Sequence, residues 1–464
     1  MSGGANRVLV GGLRAATGVL IIAAAAAMAL FLGAVELPAV ERDPVAIQVD
    51  TRQNAEQIRV CAGSFAELGA DPERSGTALP VGTAAVVQAG SADEQFELER
   101  EEPGGSAPQV FRAAADETFA AAQRQDVSSD NLRGLTALAC AEPLNEQWLV
   151  GGATSVGVST TLNLGNPYDV PATVELTVYD EEGELDAAQT SGVLVPARGE
   201  RVVSLNGYAP GRERLAVRVV STGAAVTASL GVGQVDGLSS FAVDTVTRQA
   251  EAQNTLVVPG IVNLSEHEHG PGDAGELDAF PVVVRALSAS GEAKTARVRA
   301  LLGTGGSEDL GTLEFDGAAV AELIVRHWPE EAHAIVIEAD APIVGGVLAS
   351  ADAGGEHDYA WYAPAPELPE ETEHAVAVVD GGSLVIANPG SSEAEVRVSG
   401  AKTDPSDYVV PAGGAMVVRA PADARLSSTV PVFATVRVAS RSDLAAYPVL
   451  AAAERTTALT VYPR

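Results

Sequence analysis

Residues 163–185 read NLGNPYDVPATVELTVYDEEGEL. An apolar strand runs into Asn166-Pro167, a second strand alternates Val174, Leu176 and Val178, and an acidic turn ends at Gly183. Proline fixes φ and has no N–H for a central ladder, so Asn-Pro behind an apolar strand marks its exit into a turn. A period of two puts the three aliphatic side chains on one face. The stretch therefore predicts an antiparallel hairpin with one buried side. The same pattern returns at 385–400, VIANPGSSEAEVRVSG, with Asn388-Pro389, Val396 and Val398.

Working outward, three segments open alike: QWLVGG with STTLNLGNP from Gln147, NTLVVPG with IVNLS from Asn254, and HAVAVVDG with SLVIANPG from His374. Their starts lie roughly 105 and 120 residues apart, near the ~100 residues of an immunoglobulin-sized sandwich. VLVPARGERVVSL and YVVPAGGAMVVRA occupy matching places in the first and third segments, and the weaker LGTLEFDGAAVAELIV stands in the second. Each segment closes with two alternating runs around a short turn: LAVRVVSTGAAVTASLGV, AIVIEADAPIVGGVLAS and LSSTVPVFATVRVAS. Tandem duplication is the economical account. The fold expected is all-β, with tandem immunoglobulin-like antiparallel β-sandwich domains at 148–253, 254–371 and 372–464.

The segment 56–147 reads as β-rich but poorly organised, its short apolar pieces separated by DPERSG, GSADEQ and EREEPGGSAP. Ahead of it, Arg7 and Arg14 precede an uncharged stretch from Ala15 to Val35 that stops at Glu36. At ~1.5 Å per residue this stretch can cross a ~30 Å hydrocarbon layer. Positive charge belongs inside, so the expectation is a cytoplasmic N-terminus at 1–14, a transmembrane helix at 15–35 and a stalk at 36–55. The rest then lies outside, at the cell membrane. A cleaved signal peptide is the alternative; its apolar region runs ~7–15 residues. Cys61 and Cys140 fall on the exported side, where thiols oxidise in pairs. A disulfide between them closes a loop worth ~4 kcal/mol of chain entropy as an upper figure. Free thiols or half of a metal site are the rival reading, without a CxxC partner.

The chain has 464 residues with 29 Lys+Arg against 62 Asp+Glu, a net charge of −33. Such a surface repels phosphate backbones, which argues against nucleic acid as a partner. Hydrophobic residues make up 46 % and aromatics 4 %, so cores are aliphatic and global disorder is excluded.

VCAG at 60–63, GLTALACAEP at 134–143 followed by QWLVGG, the TLNLGNP strand and the valine-rich repeats together resemble an uncharacterised family of exported, single-span envelope proteins from high-GC Gram-positive bacteria, a domain of unknown function. The resemblance implies a place near envelope glycan assembly. It carries over no catalytic residue.

Neither GxSxG nor HExxH occurs. The six histidines are His267, His269, His327, His333, His357 and His374, and no catalytic partner can be assigned to any of them from sequence. Glu266-His267-Glu268-His269 offers transition-metal ligands but lacks a distant third cluster. Asp180-Glu181-Glu182-Gly183-Glu184 with Asp186 could hold calcium through hard oxygens, yet an acidic hairpin turn explains it equally well. Gly303 to Gly311, GTGGSEDLG, lacks the lysine of a phosphate loop. No catalytic residue, metal or cofactor is assigned.

Of the aromatics Trp148, Trp328, Trp361 and Tyr362, Trp148 reads as core. Trp361 and Tyr362, where the second sandwich passes to the third, are the preferred place for a ligand or an inter-domain contact. The function expected is a non-enzymatic, membrane-anchored extracytoplasmic envelope protein, an elongated spacer or docking surface. The alternatives are a carbohydrate-binding or accessory module serving an envelope glycan or a membrane glycosyltransferase, and an exported hydrolase.

Overall fold

In the computed structural model the stretch 172–179 is a strand whose residues alternate buried and exposed, with Val174, Leu176 and Val178 on the covered side. The structure describes residues 19–20, 22–28, 47–49, 56–114, 117–185, 192–265, 278, 280–353, 355–451 and 459–461. Residues 19–20 and 22–28 are helical. Among the described residues no helix is long and apolar enough to cross a membrane, and most of 15–35 and 36–55 lies outside them. Within the expected stalk, β1 (Ile47–Val49) pairs antiparallel with Leu459–Val461. That ribbon belongs to a separate unit from Asn54–Arg455.

Among the described residues of Asn54–Arg455 the strands group into four modules. The first holds β2 (Gln57–Cys61), β3 (Ala66–Leu68), β4 (Ala78–Pro80), β5 (Ala85–Ala89), β6 (Glu94–Glu97), β7 (Gln109–Ala113), β8 (Ala120–Ser128) and β9 (Arg133–Ala139). The second holds β10 (Glu146–Val150), β11 (Val158–Asn166), β12 (Ala172–Tyr179), β13 (Val193–Val195), β14 (Gly199–Ser204), β15 (Ala216–Thr222), β16 (Thr227–Asp236) and β17 (Ser239–Val246). In the third are β18 (Gln253–Pro259), β19 (Leu264–Ser265), β20 (Val282–Leu287), β21 (Thr295–Leu302), β22 (Ser307–Glu314), β23 (Ala321–Val325), β24 (Ala332–Ala353) and β25 (Glu356–Tyr362). The fourth runs through β26 (His374–Ala377), β27 (Gly382–Asn388), β28 (Ala394–Gly400), β29 (Thr403–Val410), β30 (Gly414–Val418), β31 (Asp423–Ser428), β32 (Phe433–Ala439) and β33 (Leu444–Pro448).

One pairing scheme recurs. The second module packs the sheet β10-β15-β12-β13 on β14-β11-β16-β17, and the fourth packs β26-β31-β28-β29 on β30-β27-β32-β33, position for position. The third gives β18-β24-β21-β22 and β23-β20-β24-β25, because β24 serves both sheets. Strand β21 pairs with it up to Ala339 and β20 from Val344, so the passage from one sheet to the other includes Pro342, which has no N–H to give a ladder. The first module, read from sequence as the least ordered, repeats the order as β2-β7-β6 and β5-β8-β9. It lacks counterparts of the edge strands β13 and β14 and carries the small β3-β4 hairpin between β2 and β5.

The modules close on one another. Strand β9 lies beside β17, β17 beside β25, β25 beside β33, and β33 beside β9. These four last strands form a hub, and the sandwiches stand round it in a closed ring, which corrects the expected elongated string. The cause is visible in the burial. β33 is buried at every position, and β9, β17 and β25 are buried through most of their length, so each is covered on both faces. Strands reading GLTALA, FAVDTV, HDYAWY and LAAYP need cover on both sides, and only a neighbouring module supplies the second.

Candidate functional site

The hub gathers the side chains with the most perturbed chemistry. Asp358 is fully buried in β25, and its Oδ2 accepts the backbone N–H of Leu135 in the first module at 3.0 Å and of Leu444 in the fourth at 3.1 Å. Asp244, fully buried in β17, accepts the backbone N–H of Trp361 through Oδ2 at 2.5 Å. Both carboxyls are pushed well above the usual carboxylate range, first by burial, and Asp244 further by the neighbouring Asp358. Among the described residues Asp244 Oδ1, Asp358 Oδ1 and the Tyr359 hydroxyl have no hydrogen-bond partner. Burial also raises the Tyr359 hydroxyl far above its ordinary value, helped by the same two carboxyls. His357 stacks on Phe241 at 3.7 Å between ring centroids, and burial lowers it to about 4.

Trp361 and Tyr362 sit inside β25, not in a hinge. Trp361 is 4 % exposed and its ring belongs to the core of the second module, across the boundary from its own strand. Gly151 makes room for it: a Cβ there would stand 3.0 Å from the indole. Arg285 lies over the ring at 5.0 Å and donates to the Gly152 carbonyl at 2.8 Å. Tyr362 is 2 % exposed and fills the third core. Neither ring presents a face to a sugar.

Elsewhere the ring is tied by polar contacts. Arg100 of the first module pairs with Glu200 of the second at 2.6 Å, both side chains nearly buried. Val320 N–H donates to the Asp180 carbonyl at 2.7 Å, Arg437 to the Gly260 carbonyl at 3.1 Å, and Arg124 to the Asp380 carbonyl at 2.8 Å. Cys61 and Cys140 form a disulfide joining β2 to the residue after β9.

Other sequence candidates resolve into structure. Asp180 is buried, its Oδ1 takes the N–H groups of Glu182 and Gly183, and its Oδ2 pairs with Arg212 at 2.9 Å. It is the hinge of a hairpin turn. Gly303 to Gly311 turns into β22, with Gly306 N–H directed at the Ala412 carbonyl of the fourth module. Trp148 is buried beside Tyr179, and Trp328 is half-buried against the third core. The sequence also holds a Ser-x-x-Lys spacing that was not among those candidates, Ser399 and Lys402, which flank the β28-β29 turn, where no helix brings lysine over serine. Residues 266–277, with His267 and His269, and Asp186 lie outside the described residues. Among the described residues no group of three or more His, Cys, Asp or Glu is placed to hold a metal.

Comparison with protein families matches Family of unknown function (DUF5719) over residues 100–421. The chain belongs to this family. The DUF5719 region opens just before β7, closes between β30 and β31, and so contains β9, β17 and β25 of the hub. A search of the curated proteins found no match, and a search of the solved structures found none either.

Proposed function

We propose that the chain is a non-catalytic docking scaffold of the cell envelope, held at the membrane by its apolar N-terminal segment, with immunoglobulin-like sandwiches outside. One observation carries the reading. Asp358 ties three modules at a single carboxylate, so its hydrogen bonds go to holding the ring, and the ring offers partners a surface of fixed geometry. The disulfide supports export, since paired thiols persist in oxidising compartments. The closed ring favours docking over a spacer role, because four modules around a hub span less distance than four in a line.

The test is crosslinking in intact cells, purification through a C-terminal tag and mass spectrometry of what accompanies the chain. A near-stoichiometric membrane enzyme of the envelope is the expected companion. Recovery of the chain alone, or with wall glycan only, would sink the reading.

A further inference from the structure

Between the first and second modules opens a cavity of about 590 Å³, within the ~300–1,000 Å³ range of ligand pockets. Glu67, Asn131, Thr154 and Asn206 contribute to its lining, and so do the loop residues Val156 and Leu238. Glu67 comes from β3 of the small hairpin peculiar to the first module and is 2 % exposed. Its Oε1 takes the Asn131 amide at 3.0 Å, whereas its Oε2 is buried without a hydrogen-bond partner among the described residues. A buried carboxylate oxygen left bare is costly, and a cationic donor removes that cost best.

The mouth has the opposite character. Leu238 is 105 % exposed at the tip of the β16-β17 hairpin, on a two-residue turn whose first residue, Gly237, has φ of 60°. Such a turn needs the glycine and makes no use of a leucine after it. Val156, 104 % exposed, stands on the loop between β10 and β11 and lines the same cavity. Two bare aliphatic side chains thus flank a buried acid. None of the cavity's lining residues is aromatic, so it offers no stacking platform for a sugar ring. The net charge of −33 draws cations toward the chain as a whole.

We propose that this cavity receives a lysine or arginine side chain of a partner protein, presented on a segment whose aliphatic neighbours cover Val156 and Leu238 while the cation meets Glu67. The assignment rests on the docking reading and names the chemistry of the partner.

The full chain is tested against an array of amidated hexapeptides, as wild type and as Glu67→Gln, Leu238→Ser and Val156→Ser. Selected peptides are expected to carry lysine or arginine beside aliphatic residues. Glu67→Gln is expected to weaken the best of them about tenfold and Leu238→Ser about fivefold. Should Glu67→Gln fail to fold, the two serine variants, at fully exposed positions, decide the matter. Selection of neutral or acidic peptides, equal binding by the variants, or no selection at all overturns the proposal. A cellular crosslinking partner that persists in Glu67→Gln and Leu238→Ser overturns this site and leaves docking standing; absence of any partner overturns docking itself.

Discussion

The carboxylate of Asp358 accepts the backbone N–H of Leu135 at 3.0 Å across 223 residues of sequence, and the same oxygen takes Leu444 N–H at 3.1 Å. Three modules therefore meet at one atom. Asp358→Ala would strand two buried donors, each worth ~1–3 kcal/mol, so a loss of about 3 kcal/mol is expected. Asp358→Asn keeps a carbonyl oxygen and should fall between. Urea unfolding midpoints measure both, and an unchanged midpoint in Asp358→Ala would remove the residue from the hub's support.

The same two carboxyls give stability a pH dependence. Burial raises Asp244 and Asp358 well above their ordinary range in the folded chain. The native state therefore keeps protons that the unfolded chain releases above about pH 4. Their contribution is complete below that pH and is lost as pH climbs through the raised folded values. His357, lowered to about 4 by burial, works in the other direction, adding stability between about 4 and 6.5. Comparing melting temperatures at pH 5 and pH 8 for wild type, Asp244→Asn and Asp358→Asn cancels the histidine. Both variants should gain on wild type as pH rises; a gap equal at the two pH values would show that the carboxyls titrate normally.

Asn166 and Asn388 explain why the Asn-Pro and Val-Pro motifs travel together. Asn166 Nδ2 donates to the carbonyls of Val170 at 2.8 Å, Val195 at 3.4 Å and Pro196 at 2.9 Å, and its Oδ1 takes Tyr168 N–H. Asn388 repeats this with Ser392 at 2.7 Å, Val410 and Pro411 at 3.3 Å each, and Gly390 N–H. Each amide staples a hairpin turn to the end of the neighbouring strand. Alanine at either position should cost about 3 kcal/mol, since several buried groups lose their partner. Ser288, which stands after β20 and accepts Ala293 N–H at 3.1 Å, makes one such bond and should cost about 1 kcal/mol as Ser288→Ala. Thermal unfolding of the three variants tests the ranking, and equal losses would contradict it.

How far the fold could be read from sequence follows from these residues. The second and fourth modules announce themselves because Asn166-Pro167 and Asn388-Pro389 are rigid, composition-specific punctuation. The third is fainter because Ser288 replaces the asparagine and Pro342 lets one long strand serve both sheets. The first is hard to read as a copy, because it lacks counterparts of the edge strands β13 and β14 and its short β5 and β6 carry little period. Ring closure was hidden because contacts between modules leave no local periodicity. One signal for it did exist. An aspartate in the middle of FAVDTV, and another in HDYAWY, is out of place in an apolar strand unless backbone donors await it. Trp361 and Tyr362 read in sequence as large rings near a boundary, and the structure places both in cores. The cavity over Glu67 needed two modules side by side, which no run of sequence displays.

The disulfide acts on the module with least to hold it. Cys61 and Cys140 are 79 residues apart and join the first strand of that module to the residue after its last. A loop of that size restricts the unfolded chain by ~4 kcal/mol at most. The other modules have eight strands or their equivalent, whereas the first has six in its two sheets, and its core about the cysteines rests on Phe111, Phe119, Ala113 and Ala121. Reduction should therefore loosen 57–139 first. Because β9 borders both β17 and β33, the loss should spread to Leu135 and its bond with Asp358. Hydrogen exchange followed by mass spectrometry, with and without dithiothreitol, is expected to show faster exchange in β2, β7 and β9 before any change in β12 or β28. Uniform loss of protection along the chain would mean that the four modules unfold as one body and that the bridge staples the whole ring.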